Sequence, residues 1–320
     1  MTRPSIFQKF LQNKRPIDRL PRHLPTQASI QMPHRFRPSS PAAWSPLFKT
    51  AQPTCRPRRF SVTPAAAAAA PEPSPRWLSE LQGRIGKCII FGCSQAQVSR
   101  AAVVVRALAA EWRYLTAGSQ GFLTGEGRGL PDHKILWGLM DSFQHVNNVN
   151  YLKYAEGSRV NWVTSFARSP DGANADRWRE LMTPHSIGLI MKSITVDFKL
   201  PVTYPDTISA YTRLREPISD KDSSSIKLEC LIISHRHRRA AAKLQEEMVT
   251  YDYRAASKAP VPGFARTAFA ETWELQHREQ ERARARIAEL CRLVDELEGE
   301  TWNRADAVED MGTASQGGGK

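Results

Sequence analysis

Four strand-like stretches follow one another in the second half of this chain: Ile187–Phe198, Thr207–Arg215, Ile226–Ser234 and Ala242–Tyr253. Short polar segments separate them, and Asp220-Lys221-Asp222-Ser223 reads as a hairpin turn. Strands that succeed one another this closely pair antiparallel. The last stretch keeps Leu244, Met248 and Tyr251 apolar, although Gln245, Glu246 and Glu247 interrupt it. Ahead of the strands lies one segment with helical spacing, about Asn148 to Phe166, carrying Val149, Leu152, Ala155, Val160 and Val163. A short alternating apolar run, Ile135, Trp137 and Leu139, precedes that helix and reads as a strand. The order is therefore strand, helix, then successive strands. The helix is apolar enough to need covering, so one antiparallel sheet wrapped around one long helix, an α+β architecture, is the economical packing.

The join between first strand and helix concentrates the chemistry. Residues Asp141-Ser142-Phe143-Gln144-His145-Val146-Asn147-Asn148-Val149-Asn150-Tyr151 crowd a carboxylate, an imidazole and several side-chain amides onto a strand-to-helix turn. A helix start offers unpaired backbone N–H groups and the positive end of a dipole. Such a place suits an anionic intermediate, while a carboxylate acts as base or nucleophile. Asp141 is the first candidate for that carboxylate, with a turn or helix cap as its equal alternative. His145 would orient the reacting group or donate to Asp141, or else hold the turn. Asn147 and Asn148, with Gln144, are read as supporting the helix start.

This turn resembles the signature of hotdog-fold acyl thioesterases: an Asp, then Gly-His or Gln-His, then Val-Asn-Asn and an aromatic. Gln144-His145-Val146-Asn147-Asn148-Val149 is similar to the form in plant acyl-carrier-protein thioesterases, and more loosely to the 4-hydroxybenzoyl-CoA thioesterase class. The likeness continues through Ile194-Thr195-Val196-Asp197-Phe198-Lys199-Leu200-Pro201-Val202-Thr203-Tyr204-Pro205-Asp206 and covers roughly Lys134 to Pro262. It implies a hotdog fold and hydrolysis of acyl-CoA or acyl-carrier-protein (acyl-ACP) thioesters. It also implies an Asp141-centred site at the interface of a homodimer or homotetramer, with no cofactor. Asp197 is a candidate carboxylate supplied by the second subunit, a solvent-facing strand residue being the alternative. One departure stands out. Where the plant enzymes carry a functional Asn two residues before the His, this chain has Phe143, which removes an amide-dependent mechanism but not an Asp-centred one.

His235-Arg236-His237-Arg238-Arg239 lies between two strands. His235, Arg236, Arg238 and Arg239 are candidate contacts for the phosphates of coenzyme A, against the simpler reading of a solvated hairpin tip. There is no Gly-x-Ser-x-Gly elbow. Gly125-Glu126-Gly127-Arg128-Gly129 lacks the Lys-Ser/Thr of a phosphate loop. The five cysteines include no Cys-x-x-Cys and no His at ligand spacing, so no metal site is expected, and Cys230 reads as a core residue.

The net charge of +13 first suggests a nucleic-acid binder. Residues 1–60, however, hold twelve Lys or Arg and one acid, Asp18, which is +11; the other 33 basic and 31 acidic residues give +2. The basic character therefore belongs to the N-terminus, and no nucleic acid is expected as partner of the mature chain. Rich in Arg, Pro and Ser, residues 1–60 read as a mitochondrial presequence cut after Phe60, which points to the matrix and, with the family likeness, to a fungal-type mitochondrial member. No run of eighteen apolar residues suggests a transmembrane helix.

Residues 61–76 read as a Pro/Ala linker, 77–125 as a helical extension, 126–262 as the thioesterase-like domain, 263–302 as a charged amphipathic helix and 303–320 as a disordered tail. In the extension, Ser94 and Gln97 form a capping-box pattern, and Val98, Ala101, Val105, Leu108 and Trp112 recur at heptad-like spacing. Ile287, Leu290, Val294 and Leu297 form a stripe in the last helix, read as packing on its own domain and as dispensable for dimerisation. These additions and Phe143 support a rival reading: a non-catalytic hotdog protein in a mitochondrial assembly such as the mitoribosome.

Overall fold

The computed structural model describes residues 71–309, except 126, 169–171, 173 and 219. The presequence, most of the linker and the tail from residue 310 lie outside the described residues. Five strands form one antiparallel sheet in the order β1-β3-β4-β5-β2: β1 (Gly129–Lys134), β2 (Ile187–Phe198), β3 (Thr207–Leu214), β4 (Ser225–Ser234) and β5 (Arg239–Asp252). A two-residue strand β6 (Ser257–Lys258) adds to β5. Helices α1 (Trp77–Ile90) and α2 (Gln95–Gly118) precede the sheet, α3 (Asn148–Phe166) and α4 (Ala175–Glu180) fall between β1 and β2, and α5 (Gly263–Glu300) ends the fold.

The period-two pattern explains which face is buried. Ile208, Ala210 and Leu214 of β3, and Leu228, Cys230 and Ile232 of β4, pack with Tyr151, Tyr154, Ala155 and Trp162 of α3. Ser158, in the middle of α3, donates to the Ala210 carbonyl at 3.0 Å and shares a 2.9 Å hydrogen bond with Thr212. A small hydroxyl there brings helix and sheet together without leaving a buried polar atom unpaired. This is the expected sheet around a helix, a hotdog arrangement. Cys230 is fully buried inside it, and burial pushes its thiol pKa up, away from nucleophilic use.

Three local expectations are corrected. Trp137–Leu139 is a turn of 3-10 helix, and the first strand lies earlier, at Gly129–Lys134. Ile135 is buried but Trp137 is 73% exposed, so the alternation there was a coincidence of loop residues. In α2 the buried stripe is Ala101, Val104, Leu108 and Leu115, while Val98 and Val105 face outward. Hydrophobicity alone could not separate Val104 from Val105 or Val103. The polar loop expected through Arg177 also contains α4, whose Trp178 stacks on Phe166 with centroids 4.6 Å apart.

Helix α2 starts with a complete capping box: Ser94 Oγ accepts from the Gln97 N–H and the Gln97 side chain accepts from the Ser94 N–H. With α1 and the later turns of α5 it builds a three-helix bundle around Leu81, Ile85, Val104, Leu108, Leu290 and Val294. The first turns of α5 do something different. Ala265 and Phe269 enter the helix–sheet core beside Trp162. The C-terminal helix is therefore no removable appendage, because truncation before residue 264 would strip the core of Phe269.

Candidate functional site

The turn before α3 is held by its own backbone. Met140 pairs with Val146 as an isolated antiparallel bridge, and the Asp141 N–H donates to the His145 carbonyl at 2.9 Å. The Val146 N–H donates to the Val202 carbonyl at 2.8 Å, and the Val202 N–H to Tyr151 Oη at 3.1 Å. Residues 140–146 are thus clamped between α3 and the segment after β2. Gln144 takes φ +62°, an uncommon left-handed conformation for a non-glycine residue, and this closes the loop.

Within the loop, Asp141 Oδ1 accepts the Phe143 N–H at 2.9 Å, an Asx turn, and the residue remains partly exposed. The capping role and an accessible carboxylate therefore coexist. His145 is exposed, and its ring makes no hydrogen bond to Asp141 among the described residues. Asn147 is the N-cap of α3: its side-chain oxygen accepts from the Val149 N–H at 3.1 Å. That takes the Val149 donor away from any ligand. Asn148 opens the helix and is exposed, as are Gln144 and Phe143. Asn150, which sequence reasoning passed over, is buried and donates to the Leu139 carbonyl at 3.2 Å, locking the turn to the helix.

Asp197 lies on edge strand β2, is exposed and pairs with Lys199. The basic cluster is the β4–β5 hairpin tip. His235 Nε2 hydrogen-bonds Ser209 Oγ at 2.8 Å, and the ring meets Trp112 edge-on. Burial and the neighbouring Arg113 guanidinium push its pKa below the usual imidazole value. His235 Nδ1 is 3.9 Å from Asp132, giving a Ser–His–Asp series. Ser209 is wholly buried, however, so this series joins α2 to the outer sheet face and offers no nucleophile to solvent. The Arg236 and Arg238 side chains are exposed at the tip, next to Arg239 at the start of β5. No group of three or more His, Cys, Asp or Glu side chains among the described residues is arranged to hold a metal ion.

A second polar feature was missed. Glu246 on β5 points into the helix–sheet core, its side chain wholly buried, and receives Arg159 Nη1 of α3 at 2.5 Å. Its parity with Leu244 and Met248 was the available signal for an inward carboxylate. Burial raises the Glu246 pKa above the usual carboxylate range, and Arg159 pulls it back down. A folded-state pKa raised above the unfolded value contributes stability below the ordinary carboxylate pKa, and that stability is lost as pH rises through the folded value. Arg159→Met removes the opposing charge. We expect it to destabilise the fold by ~3–5 kcal/mol at neutral pH and by distinctly less near pH 4, where Glu246 is protonated more readily. Denaturant titrations of variant and wild type at both pH values check this; an equal loss at both would show that Glu246 charge is not the cause.

Residues 135–271 match the family model of the thioesterase-like superfamily. The long-chain acyl-CoA thioesterase FadM of Escherichia coli is 25% identical over 77 residues, which are 24% of this chain and 51% of that protein. The chain thus spans about half the length of that curated relative. Among solved structures, a Thermus thermophilus thioesterase complexed with coenzyme A and Zn is 20% identical, with 47% of this chain and 97% of that one covered and a TM-score of 0.35. The probable thioesterase YbaW of Escherichia coli is 21% identical, with 45% and 94% covered and a TM-score of 0.34. Residues 135–271, which wrap an antiparallel sheet around α3 in a hotdog arrangement, are thus the part of the chain that is similar to the thioesterase-like superfamily.

Proposed function

We propose that this protein hydrolyses acyl thioesters of coenzyme A or of an acyl carrier protein, with Asp141 as the acting carboxylate. The observation that carries the reading is a partly exposed carboxylate on a backbone-clamped turn at the start of α3, inside the family-matched segment. Asp141 activates water, or attacks the thioester carbonyl directly. In this reading the N–H of Asn148, at the positive end of α3, stabilises the oxyanion, since Asn147 occupies the Val149 donor. His145 orients the thioester, with Gln144, Asn147 and Asn148 shaping the turn. Arg236, Arg238 and Arg239 serve as phosphate contacts; the ring of His235 is already engaged. Water's oxygen ends in the acid and the carrier leaves as thiol. Hydrolysis in oxygen-18 water tests this: the released acid gains one solvent oxygen, and transfer of the acyl group to another acceptor, without that label, would contradict it.

The site is completed by a second copy. Helix α3 leaves Val149 55%, Leu152 36% and Val160 38% exposed, and β2 has one unpaired edge with Phe198 46% exposed. An open edge and an apolar stripe beside it favour pairing with another subunit, which would bring a partner β2, and its Asp197, towards the turn. The protein from Ser61 onward is expected to scatter light as a dimer or tetramer at micromolar concentration. Leu152→Glu with Phe198→Glu should yield a folded monomer with little hydrolysis. A fully active monomer would contradict the shared site.

The acid-poor basic segment supports a mitochondrial, matrix location. Residues 1–60 are expected to carry a fused reporter into mitochondria and to be removed near Phe60. Recovery of intact Met1 peptides from mitochondrial protein would contradict the cleavage.

A further inference from the structure

Strand pairing gathers one set of strand ends. Lys134 of β1 pairs with Thr207, Ile208 of β3 with Ser234, Ser234 with Arg239, and Ala242 of β5 with Phe198. The ends of β1 and β2 and the β4–β5 tip therefore share one end of the sheet. The turns beyond are tied to it: the Ile135 N–H donates to the Asp206 carbonyl at 2.9 Å, and the Tyr204 N–H donates to the Met140 sulfur at 3.4 Å. Apolar side chains stand out from these turns. Leu136 is 62%, Trp137 73% and Phe143 77% exposed. None of the three belongs to the α3 stripe or the β2 edge assigned above to a second copy. The same end is basic. Asp132 and Asp197 are engaged by Arg113 and Lys199, and Asp206 accepts from Ser234 Oγ and the Arg236 N–H. Lys134, Arg236 and Arg238 are exposed.

We propose that this end of the protein docks on an anionic lipid bilayer, with Leu136, Trp137 and Phe143 entering the headgroup boundary while Lys134, Arg236 and Arg238 meet lipid phosphates. Separate apolar projections on tight turns would each need a matching hollow in a folded partner. A fluid interface needs none, and it receives Trp preferentially. Cations beside the projections are drawn to the negative surface potential of such a bilayer. Coenzyme A phosphates would satisfy the arginines but leave the apolar side chains in water, so the bilayer is the occupant that uses both. Docking needs no hydrolysis, and it stands or falls apart from the thioesterase reading.

Vesicles of phosphatidylcholine and phosphatidylglycerol with brominated acyl chains test this on the full chain, since bromine quenches only tryptophans that reach the acyl boundary. Adding vesicles should quench part of the emission, and that part should be missing in Trp137→Phe, whatever residues 1–60 contribute to binding. The lipid concentration that half-quenches the Trp137 component should rise at least about tenfold in Lys134→Glu with Arg236→Glu. Leu136→Glu should raise it too and leave the oligomeric state unchanged. Equal quenching of wild type and Trp137→Phe, or no effect of reversing the two cations, overturns the proposal. A monomeric Leu136→Glu protein also overturns it, because the face would then be a subunit contact. Absence of Trp137 quenching together with tight binding of an acidic carrier protein, lost in Leu136→Glu, would make the face a protein dock and overturns it as well.

Discussion

Asp141→Asn lowers thioester hydrolysis by about 10²–10⁴-fold and leaves the protein folded. The two halves of that expectation have separate causes. The Asn side chain keeps an oxygen to accept the Phe143 N–H, the one hydrogen bond that Asp141 makes through its carboxylate among the described residues. The turn is otherwise held by main-chain bonds from Asp141, Val146 and Asn147, which the substitution does not touch. What disappears is the negative charge, and with it both ways of working, as base and as nucleophile. Steady-state kinetics beside a thermal melt separates them. An Asn variant that is as active as wild type would make Asp141 a turn residue only. If the Asn variant is inactive but melts far lower, Asp141→Glu decides, because it restores a carboxylate at the same position: partial activity supports an Asp-centred site, and none contradicts it.

Phe269→Ala carries the largest stability effect, ~3–5 kcal/mol. Phe269 is 2% exposed and stacks on Trp162 with centroids 5.6 Å apart and 6° between planes. It also meets Phe166 and Trp178 edge-on, at 5.6 and 5.5 Å. The rings come from α3, α4 and α5, so collapse around a lost phenyl would require three helices to move together. Incomplete collapse leaves a cavity, whose lost dispersion contacts add to the lost transfer energy. The denaturant midpoint should fall with an unchanged slope. A loss below about 1 kcal/mol, the ordinary size of a point-mutation effect, would mean that α5 is only loosely docked on the hotdog core.

The fold was legible because its pattern is redundant. The α3 span was readable at both ends, from the cap Asn147 to Phe166, but its buried face was not: Val149, Leu152 and Val160 are exposed, and the face that packs on the sheet runs through Tyr151, Tyr154, Ala155, Ser158 and Trp162. Strands β2, β3 and β4 were readable because each has an uninterrupted β-rich composition and a turn beside it. Glu246 nearly hid β5, since a buried carboxylate breaks the apolar alternation and only its partner on α3, far away in sequence, explains it. Trp178 and Phe269 were invisible as a pair with Trp162, because aromatic clustering between three helices leaves no local period. The candidate site was legible as a motif, Asp141 through Tyr151, but not as geometry. Nothing in the spacing foretold that Asn147 would take the Val149 donor, that His235 would be tied to Ser209, or that Asp197 would pair with Lys199.

Release of free thiol from a panel of acyl-CoAs of increasing chain length, by protein beginning at Ser61, tests the central claim most directly. The account predicts turnover of at least one long-chain member at a rate well above that of the Asp141→Asn protein under the same conditions. A folded, oligomeric wild type that releases thiol from no acyl-CoA or acyl-carrier-protein thioester would contradict it, and would leave a hotdog protein whose work is assembly rather than hydrolysis.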